Sequence, residues 1–177
     1  YEYEIEAEMT YEMIKNGASG HSFAPIIASG NDTCILHYIK NDKVMKDGDL
    51  LLMDFGAEYA NYAGDASRTI PVNGKFSPRQ KQVYNAVLSI YKETIPLFKP
   101  GMNIHKINDF VFKRMDEELI KLGLYTAEDV AKQNPEMPLF KKYYMHNTSH
   151  FIGLDVHDVG QRDWTFEPGM VLSCEPG

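Results

Sequence analysis

The chain has 177 residues, of which 44% are hydrophobic and 24% are charged, and its formal net charge is −7 at pH 7. This size and composition predict one globular domain with its own hydrophobic core. The acidic balance argues against a nucleic-acid partner, whose binding surface would be basic. No apolar stretch approaches the roughly 20 residues that a membrane-spanning helix needs, so no membrane partner is expected.

The first half of the chain predicts one helix followed by short strands. Residues 2–16 carry apolar side chains on one helical face, and residues 24–29 and 33–38 have the apolar character of strands. A long hairpin is then expected from about residue 50 to residue 72. The chain has only two cysteines. Cys34 and Cys174 are both expected to be buried, reduced thiols, as is typical of a cytoplasmic protein.

The second half predicts two long helices and a final strand. The first helix begins at Ser77-Pro78, a favourable helix start, and is expected to end at Pro100. A second helix is predicted over about residues 103–122, and an apolar run over residues 170–174 predicts a buried strand. The strands and helices are segregated along the chain, which favours an α+β fold over a parallel βαβ fold.

The apolar stripes of the two helices are expected to face the sheet as core. In the first helix these positions are Val83, Val87, Ile90 and Tyr91. In the second helix they are Ile107, Val111, Met115, Leu119 and Leu122.

Two aspartates, Asp54 and Asp65, lie within an otherwise apolar pair of predicted strands. Residues 50–53 predict a buried strand that ends at Asp54, and a reversal near residues 59–61 would place Asp65 opposite or diagonal to it. Gly64 could supply a bulge. Ionised carboxylates are costly to bury without a compensating positive charge, so the pair suggests a bound cation. One aspartate capping a turn while the other faces solvent explains this segment equally well.

Three of the six histidines, His146, His150 and His157, lie close together near the end of the chain. His150 adjoins apolar residues and is expected to be inside, although any one of the three could be an ordinary core histidine. Glu175 follows the predicted strand 170–174 and precedes a Pro-Gly turn signal. Carboxylates at strand ends together with one imidazole suit Mn²⁺, Fe²⁺, Co²⁺ or Zn²⁺.

Six stretches of the chain form an ordered set of motifs. They are C-I-L-H-Y at 34–38, D-G-D-L-L-L-M-D-F-G-A-E-Y at 47–59, Y-A-G-D-A-S-R-T at 62–69, P-V-N-G-K-F-S at 71–77, H-N-T-S-H-F-I-G-L-D-V-H-D at 146–158 and G-M-V-L-S-C-E-P-G at 169–177. In order and spacing they resemble the aminopeptidase P and prolidase branch of the pita-bread metallopeptidases. The resemblance implies an α+β pita-bread fold, in which helices cover a curved, mostly antiparallel sheet.

The resemblance also implies roles for individual residues. Four positions match metal ligands of the family: Asp54, Asp65, His150 and Glu175. Asp65 would bridge two metal ions, and Glu175 would also act as the general base. His157 and His37 match histidines that bind the substrate and assist catalysis, and His146 matches one that lines the site for the residue after the scissile bond.

The implied cofactor is a pair of divalent metal ions, with manganese favoured and cobalt, zinc or iron as alternatives. The family's fifth ligand, a second bridging glutamate, has no counterpart among residues 1–177, and neither has its separate N-terminal domain. We therefore expect residues 1–177 to form a partial catalytic domain that lacks the N-terminal domain and the final strands. Partial or absent metal and little activity are expected of these residues alone.

The implied activity is that of an Xaa-Pro aminopeptidase. Such an enzyme releases the N-terminal residue from peptides with proline in second position, through attack by a metal-activated hydroxide. The partner would then be a peptide substrate, and a homodimer is a further expectation from the family. The alternatives are a prolidase that accepts only dipeptides, a non-catalytic binding module and a creatinase-like hydrolase without metal. The last two are disfavoured because all four ligand positions are intact.

Overall fold

The predicted segregation of strands and helices is confirmed by the computed structural model, which describes residues 1–177. The residues form two units. Unit 1 comprises Tyr1–Ser77 and Ile152–Val159, and unit 2 comprises Pro78–Phe151 and Gly160–Gly177. No helix in either unit has the length and apolar character needed to cross a membrane.

Unit 1 contains one helix and two antiparallel sheets of three strands each. Helix α1 is Glu2–Lys15, and the strands are β1 (Gly20–His21), β2 (Ile26–Ser29), β3 (Leu50–Phe55), β4 (Ala57–Tyr59), β5 (Tyr62–Ala63) and β6 (Ala66–Pro71). One sheet has the order β1–β4–β5 and the other has the order β2–β3–β6. The buried hydrophobic cluster of unit 1 is small. It consists of Ile26, Ala28 and Tyr38, and Leu52 packs against it.

Two expectations for unit 1 are wrong. Residues 33–38 do not form a strand, because Gly30 adopts a left-handed φ of +58° and the chain enters a short 3₁₀ helix, Gly30–Cys34. Thr33 stabilises this turn by donating a hydrogen bond to the Gly30 carbonyl at 2.8 Å. Cys34 is consequently exposed rather than buried. Strand β3 forms as predicted, but Leu51 is its only fully buried residue.

Unit 2 is mainly helical. Its helices are α2 (Pro78–Thr94), α3 (Ile104–Lys121) and α4 (Ala127–Lys132), with 3₁₀ turns at Ile95–Leu97 and Leu139–Lys142. Helix α2 ends before the predicted Pro100, because Pro96 provides no N–H group and disfavours helical geometry in the residue before it.

The buried face of α3 is confirmed, and that of α2 is confirmed only in part. Along α3 the buried apolar residues are Ile104, Ile107, Val111, Met115 and Leu119. Along α2, Ile90 is buried as predicted, but Ala86 and Thr94 complete the buried set and Val83 is exposed. The buried apolar residues of α3 have the spacing that helical periodicity requires. In α2 the buried face instead includes two smaller side chains, Ala86 and Thr94.

The predicted strand over residues 170–174 is reduced to a single bridge. Phe151 pairs with Leu172 in an isolated antiparallel bridge, and two further backbone hydrogen bonds extend this pairing. Val171 is exposed, so the apolar run does not lie in the core as a whole. The pairing is nevertheless enough to hold the segment that carries Glu175 beside the one that carries His150.

Arg114 links α3 to α2 in unit 2. Its guanidinium donates hydrogen bonds to Glu93 at 2.7 and 3.1 Å, to Glu117 at 2.5 Å and to Glu118 at 3.0 Å. The Arg114 side chain is only 14% exposed. Arg114 lowers the pKa of the Glu93 carboxyl, and Lys121 together with Arg114 lowers that of Glu118.

Replacing Arg114 with methionine is expected to lower the free energy of unfolding at pH 7 by about 1–2 kcal/mol, because three carboxylates lose their shared cation. Groups with a lowered folded pKa stabilise the fold above their unfolded pKa, which is 4.5 for glutamate, and this stabilisation is lost as the pH falls through the folded pKa. The difference between wild type and R114M should therefore shrink below about pH 4. Urea unfolding at pH 7 and pH 3.5, with the exposed Lys113→Met as control, measures both effects. A difference that is equal at the two pH values would contradict the assignment.

Candidate functional site

Asp54 lies in strand β3 of unit 1, and Asp65 directly precedes strand β6, which pairs with β3. The register pairs Asp54 with Ser67, whose hydroxyl donates a hydrogen bond to Asp54 Oδ1 at 3.2 Å. Asp65 precedes Ser67 by two residues, so strand alternation gives it the same side of the sheet as Asp54. The two aspartates are therefore diagonal neighbours, a relation in which Cβ atoms are typically ~7–8 Å apart. Both side chains are half-buried.

The backbone beside Asp65 is fixed by a close approach of two glycines. The chain reverses at Ala60 and Asn61, both with positive φ, as predicted for residues 59–61. A Cβ atom on Gly56 would lie 1.8 Å from the Gly64 carbonyl oxygen, so only glycine fits at position 56. The same carbonyl accepts a hydrogen bond from the Ser22 hydroxyl at 2.6 Å. This close approach of the two backbone segments restricts the backbone of Asp65, which follows Gly64.

His150 and Glu175 are direct neighbours in unit 2. Ser173 N–H donates to the His150 carbonyl and Glu175 N–H donates to the Thr148 carbonyl, both at 2.9 Å. This pairing places His150 Nε2 3.1 Å from Glu175 Oε1, and the two side chains are 21% and 36% exposed. An imidazole and a carboxylate, each able to offer one ligand atom, thus lie side by side in unit 2.

The tautomer of His150 makes this pair suitable for a cation. The ring atom Nδ1 lies 2.9 Å from the Phe151 carbonyl, which can only accept a hydrogen bond, so Nδ1 carries the proton. In the neutral ring, Nε2 has a lone pair that a metal ion could accept, whereas in the protonated ring Nε2–H would donate to Glu175 Oε1 at 3.1 Å. A backbone partner on the second ring nitrogen is also the usual arrangement of metal-binding histidines.

Ser173, which was not predicted as a site residue, is a part of this arrangement. Its hydroxyl accepts a hydrogen bond from the His150 N–H at 3.0 Å and donates one to Glu175 Oε1 at 2.8 Å. The signal was available, because a residue two positions before Glu175 shares its face in an extended segment. Ser173 therefore orients the carboxylate through its hydroxyl and contacts the backbone of His150.

His157 lies on an exposed loop of unit 1 that two hydrogen-bonding patterns restrain. The Gly153 carbonyl at its start accepts a hydrogen bond from the Ala63 N–H at 2.8 Å, two residues before Asp65. Asp158 accepts hydrogen bonds from the N–H groups of Leu154 and Val159, at 3.1 and 2.7 Å. The loop that carries His157 is thus attached to the strand that leads to Asp65.

The other two predicted histidines also lie outside helices and strands. His37 is exposed in unit 1 and directly precedes the buried Tyr38. His146, in unit 2, is half-buried, and its ring lies edge-on to Tyr144 with centroids 4.7 Å apart. Its Nδ1 donates to the Asn147 carbonyl at 2.9 Å, which leaves Nε2 available to an external partner.

The sequence model of metallopeptidase family M24 matches residues 1–177. The chain belongs to this family. It is 43% identical to the Xaa-Pro aminopeptidase of Escherichia coli strain K12, an alignment that covers 100% of this chain and 41% of that relative. This M24 chain therefore spans less than half the length of the curated relative.

Two solved structures of aminopeptidase P enzymes are similar to the chain in fold as well as in sequence. Zinc-substituted aminopeptidase P of E. coli, in complex with product, is 41% identical with a TM-score of 0.88, over 97% of this chain and 40% of that one. Aminopeptidase PepP of Pseudomonas aeruginosa is 39% identical with a TM-score of 0.89, again over 97% of this chain and 40% of that one. The predicted pita-bread α+β fold is confirmed.

Proposed function

We propose that this M24 chain is the catalytic part of a dinuclear metal-dependent exopeptidase, which releases the N-terminal residue from peptides with proline in second position. The observation that carries the proposal is its similarity, along nearly all of its length, to Xaa-Pro aminopeptidases. The approach of His150 Nε2 to within 3.1 Å of Glu175 Oε1 supports a cation site independently, because an imidazole and a carboxylate are both ligands of such metals.

Asp54, Asp65, His150 and Glu175 are proposed as four ligands of two divalent cations. Three carboxylates and one imidazole suit manganese, and cobalt, zinc or iron are the alternatives. When bound, such cations supply a water molecule whose pKa is close to neutrality. Glu175 would accept the proton of that water, because its Oε1 is already oriented by the Ser173 hydroxyl.

The histidines are proposed to handle the peptide. Proline has no N–H group, and it restricts the residue before it, so recognition must rely on shape more than on hydrogen bonds. His146, edge-on to Tyr144, offers a flat surface for the residue after the scissile bond. His157 and His37 are exposed and would donate hydrogen bonds to the carbonyl oxygen as it becomes negatively charged.

Further elements of the proposal rest on the resemblance. Manganese as the preferred ion and a homodimer are expected from the family, and a cytoplasmic location agrees with two free cysteines. No residue among positions 1–177 matches the fifth ligand, so these residues alone should bind fewer than two ions tightly and show little activity. Metal analysis after manganese loading tests this, and two tightly bound ions per chain would contradict it.

The function is tested by peptide hydrolysis with the intact polypeptide that contains these residues, after loading with manganese. We expect release of the first residue from a tripeptide or longer peptide with proline second, and no release when alanine replaces that proline. Hydrolysis of Gly-Pro alone would identify a prolidase instead. Absence of any hydrolysis, with metal bound, would leave a binding module as the correct assignment.

Ser173 offers a test of the metal-binding geometry. Replacing Ser173 with alanine removes the hydroxyl that orients Glu175, and loss of such a supporting contact typically lowers metal affinity by about 10–100-fold. Ser173→Thr keeps the hydroxyl and should keep the affinity. Titration calorimetry with Mn²⁺ measures both variants. Equal affinity in wild type and S173A would show that the hydroxyl does not support the ligand.

A further inference from the structure

Glu2, the first residue of α1, has no exposed surface although it is a carboxylate. Its Oε1 accepts hydrogen bonds from the Ser29 N–H at 2.8 Å and the Ser29 hydroxyl at 2.6 Å. Its Oε2 accepts from the Tyr38 hydroxyl at 2.8 Å and from the Lys43 N–H at 3.1 Å. Burial alone would raise the pKa of Glu2, but these four donors lower it below its usual value. The charged form is therefore the form that the structure holds.

Three of the four donors come from the two ends of one loop, and the fourth, the Tyr38 hydroxyl, comes from within it. Ser29 ends strand β2, and Lys43 lies fourteen positions later, with the Glu2 N–H also donating to the Lys43 carbonyl at 3.0 Å. Glu2 therefore fastens the start and the end of segment 30–43, which we name the His37 loop, to the same helix. Buried hydrogen bonds to a charged group are among the stronger polar contacts in proteins.

A second residue fastens the same loop. Asn41 adopts a left-handed φ of +47° and is buried. Its Oδ1 accepts a hydrogen bond from the Ile27 N–H at 3.0 Å, and its Nδ2 donates to the Pro25 carbonyl at 3.0 Å and to Glu6 at 2.8 Å. The end of the loop is thus joined to strand β2 and to helix α1 by side-chain hydrogen bonds.

Between these attachments the His37 loop has little packing of its own. Ile35, Leu36 and Ile39 are apolar yet at least half exposed, and His37 is exposed as well. Tyr38 is the only buried residue from Ile35 to Lys40, and its hydroxyl donates a hydrogen bond to Glu2. The position of His37 therefore depends on the neighbouring Tyr38 side chain, which Glu2 holds at its far end.

We propose that Glu2 is a positioning residue for His37, acting through Tyr38 and the backbone of Lys43. The inference deepens the proposed function and rests on it, because His37 takes part in peptide hydrolysis only under that proposal. Glu2 touches neither substrate nor metal in this role. It holds the loop so that the His37 ring already has one orientation before the substrate binds. The entropy cost of ordering the ring is then not added to the reaction barrier.

The decisive variant is Glu2→Gln. Its amide group turns one acceptor into a donor, which then faces either the Lys43 N–H or the Ser29 N–H and leaves that donor unsatisfied. Tyr38→Phe is a milder change that removes one of the four donors. Glu8→Gln, on the exposed side of the same helix, makes the same chemical change without burial and serves as the control.

Amide hydrogen exchange of the chain tests the attachment without any need for activity. In E2Q and Y38F, exchange over residues 35–43 should rise by about tenfold or more, the effect of losing a hydrogen bond to a buried charge. Strand β3 and helix α3 should keep their protection, and E8Q should match wild type throughout. A rise that is equal over all of unit 1, or no rise in the loop, would overturn the proposal.

The link to catalysis is tested with the intact polypeptide by combining Glu2→Gln with His37→Ala. If Glu2 acts through His37, E2Q lowers kcat more than it changes KM, and it causes no further loss once His37 is absent. Additive losses would overturn the positioning role. If wild type hydrolyses no Xaa-Pro peptide, the proposed function fails, whereas hydrogen exchange still decides whether Glu2 holds the loop.

Discussion

Replacing Glu175 with glutamine is expected to lower kcat on an Xaa-Pro peptide by about a thousandfold or more, because general acid–base groups of this kind typically contribute 10²–10⁴-fold. The change removes the charge that a divalent cation would bind and the base that would accept the proton of the water. The amide oxygen can still accept the hydrogen bond of the Ser173 hydroxyl, which now lies 2.8 Å from Glu175 Oε1. The local backbone pairing should therefore survive.

The measurement combines steady-state kinetics, metal content and thermal unfolding of the same preparations. Glu167→Gln is the matched control, since Glu167 is exposed and lies in the same C-terminal segment. We expect the control to keep full kcat and metal content, and E175Q to lose both at an almost unchanged unfolding temperature. An E175Q protein with more than a tenth of wild-type kcat would exclude Glu175 as the general base.

The aspartate pair shows what could be predicted from sequence. A predicted strand that ends at Asp54 and a reversal near residues 59–61 were enough to place Asp54 and Asp65 as near neighbours, and the pairing of Asp54 with Ser67 favours the diagonal of the two alternatives. These signals are local, because the strands belong to one hairpin and the hydrophobic pattern fixes their register. The motifs around them identified the family, which the match over residues 1–177 confirms.

Features that depend on distant contacts could not be predicted in the same way. From the sequence, Glu2 is indistinguishable from the other acidic residues of an amphipathic helix. Its burial is explained only by the hydrogen bonds that Ser29, Tyr38 and Lys43 donate to its carboxylate. The segments of His150 and Glu175 pair through a single bridge between residues distant in sequence, which local patterns along either segment do not indicate. Tertiary contacts override local propensity at such positions.

Ile107→Ala is expected to lower the free energy of unfolding of the chain by about 2–5 kcal/mol, a large share of the 5–15 kcal/mol typical of a domain. Ile107 has no exposed surface and lies in the cluster that α3 shares with Phe140, Tyr144 and Phe151. Truncation leaves a cavity that close packing on all sides prevents from collapsing. Urea unfolding measures the loss, and Ile14→Ala, at an exposed position, should change stability by less than about 0.5 kcal/mol.

The Ile107 variant also tests how the core supports the candidate ligands. The next residue, Asn108, is buried and accepts a hydrogen bond from the Thr148 N–H at 3.0 Å, two positions before His150. Because Asn108 keeps its side chain in I107A, the folded molecules should bind Mn²⁺ with nearly wild-type affinity below the unfolding transition. A large loss of affinity in fully folded I107A would mean that the core packing itself sets the His150 geometry. Unchanged affinity at lowered stability would show that hydrogen bonds from α3 and Ser173 set it.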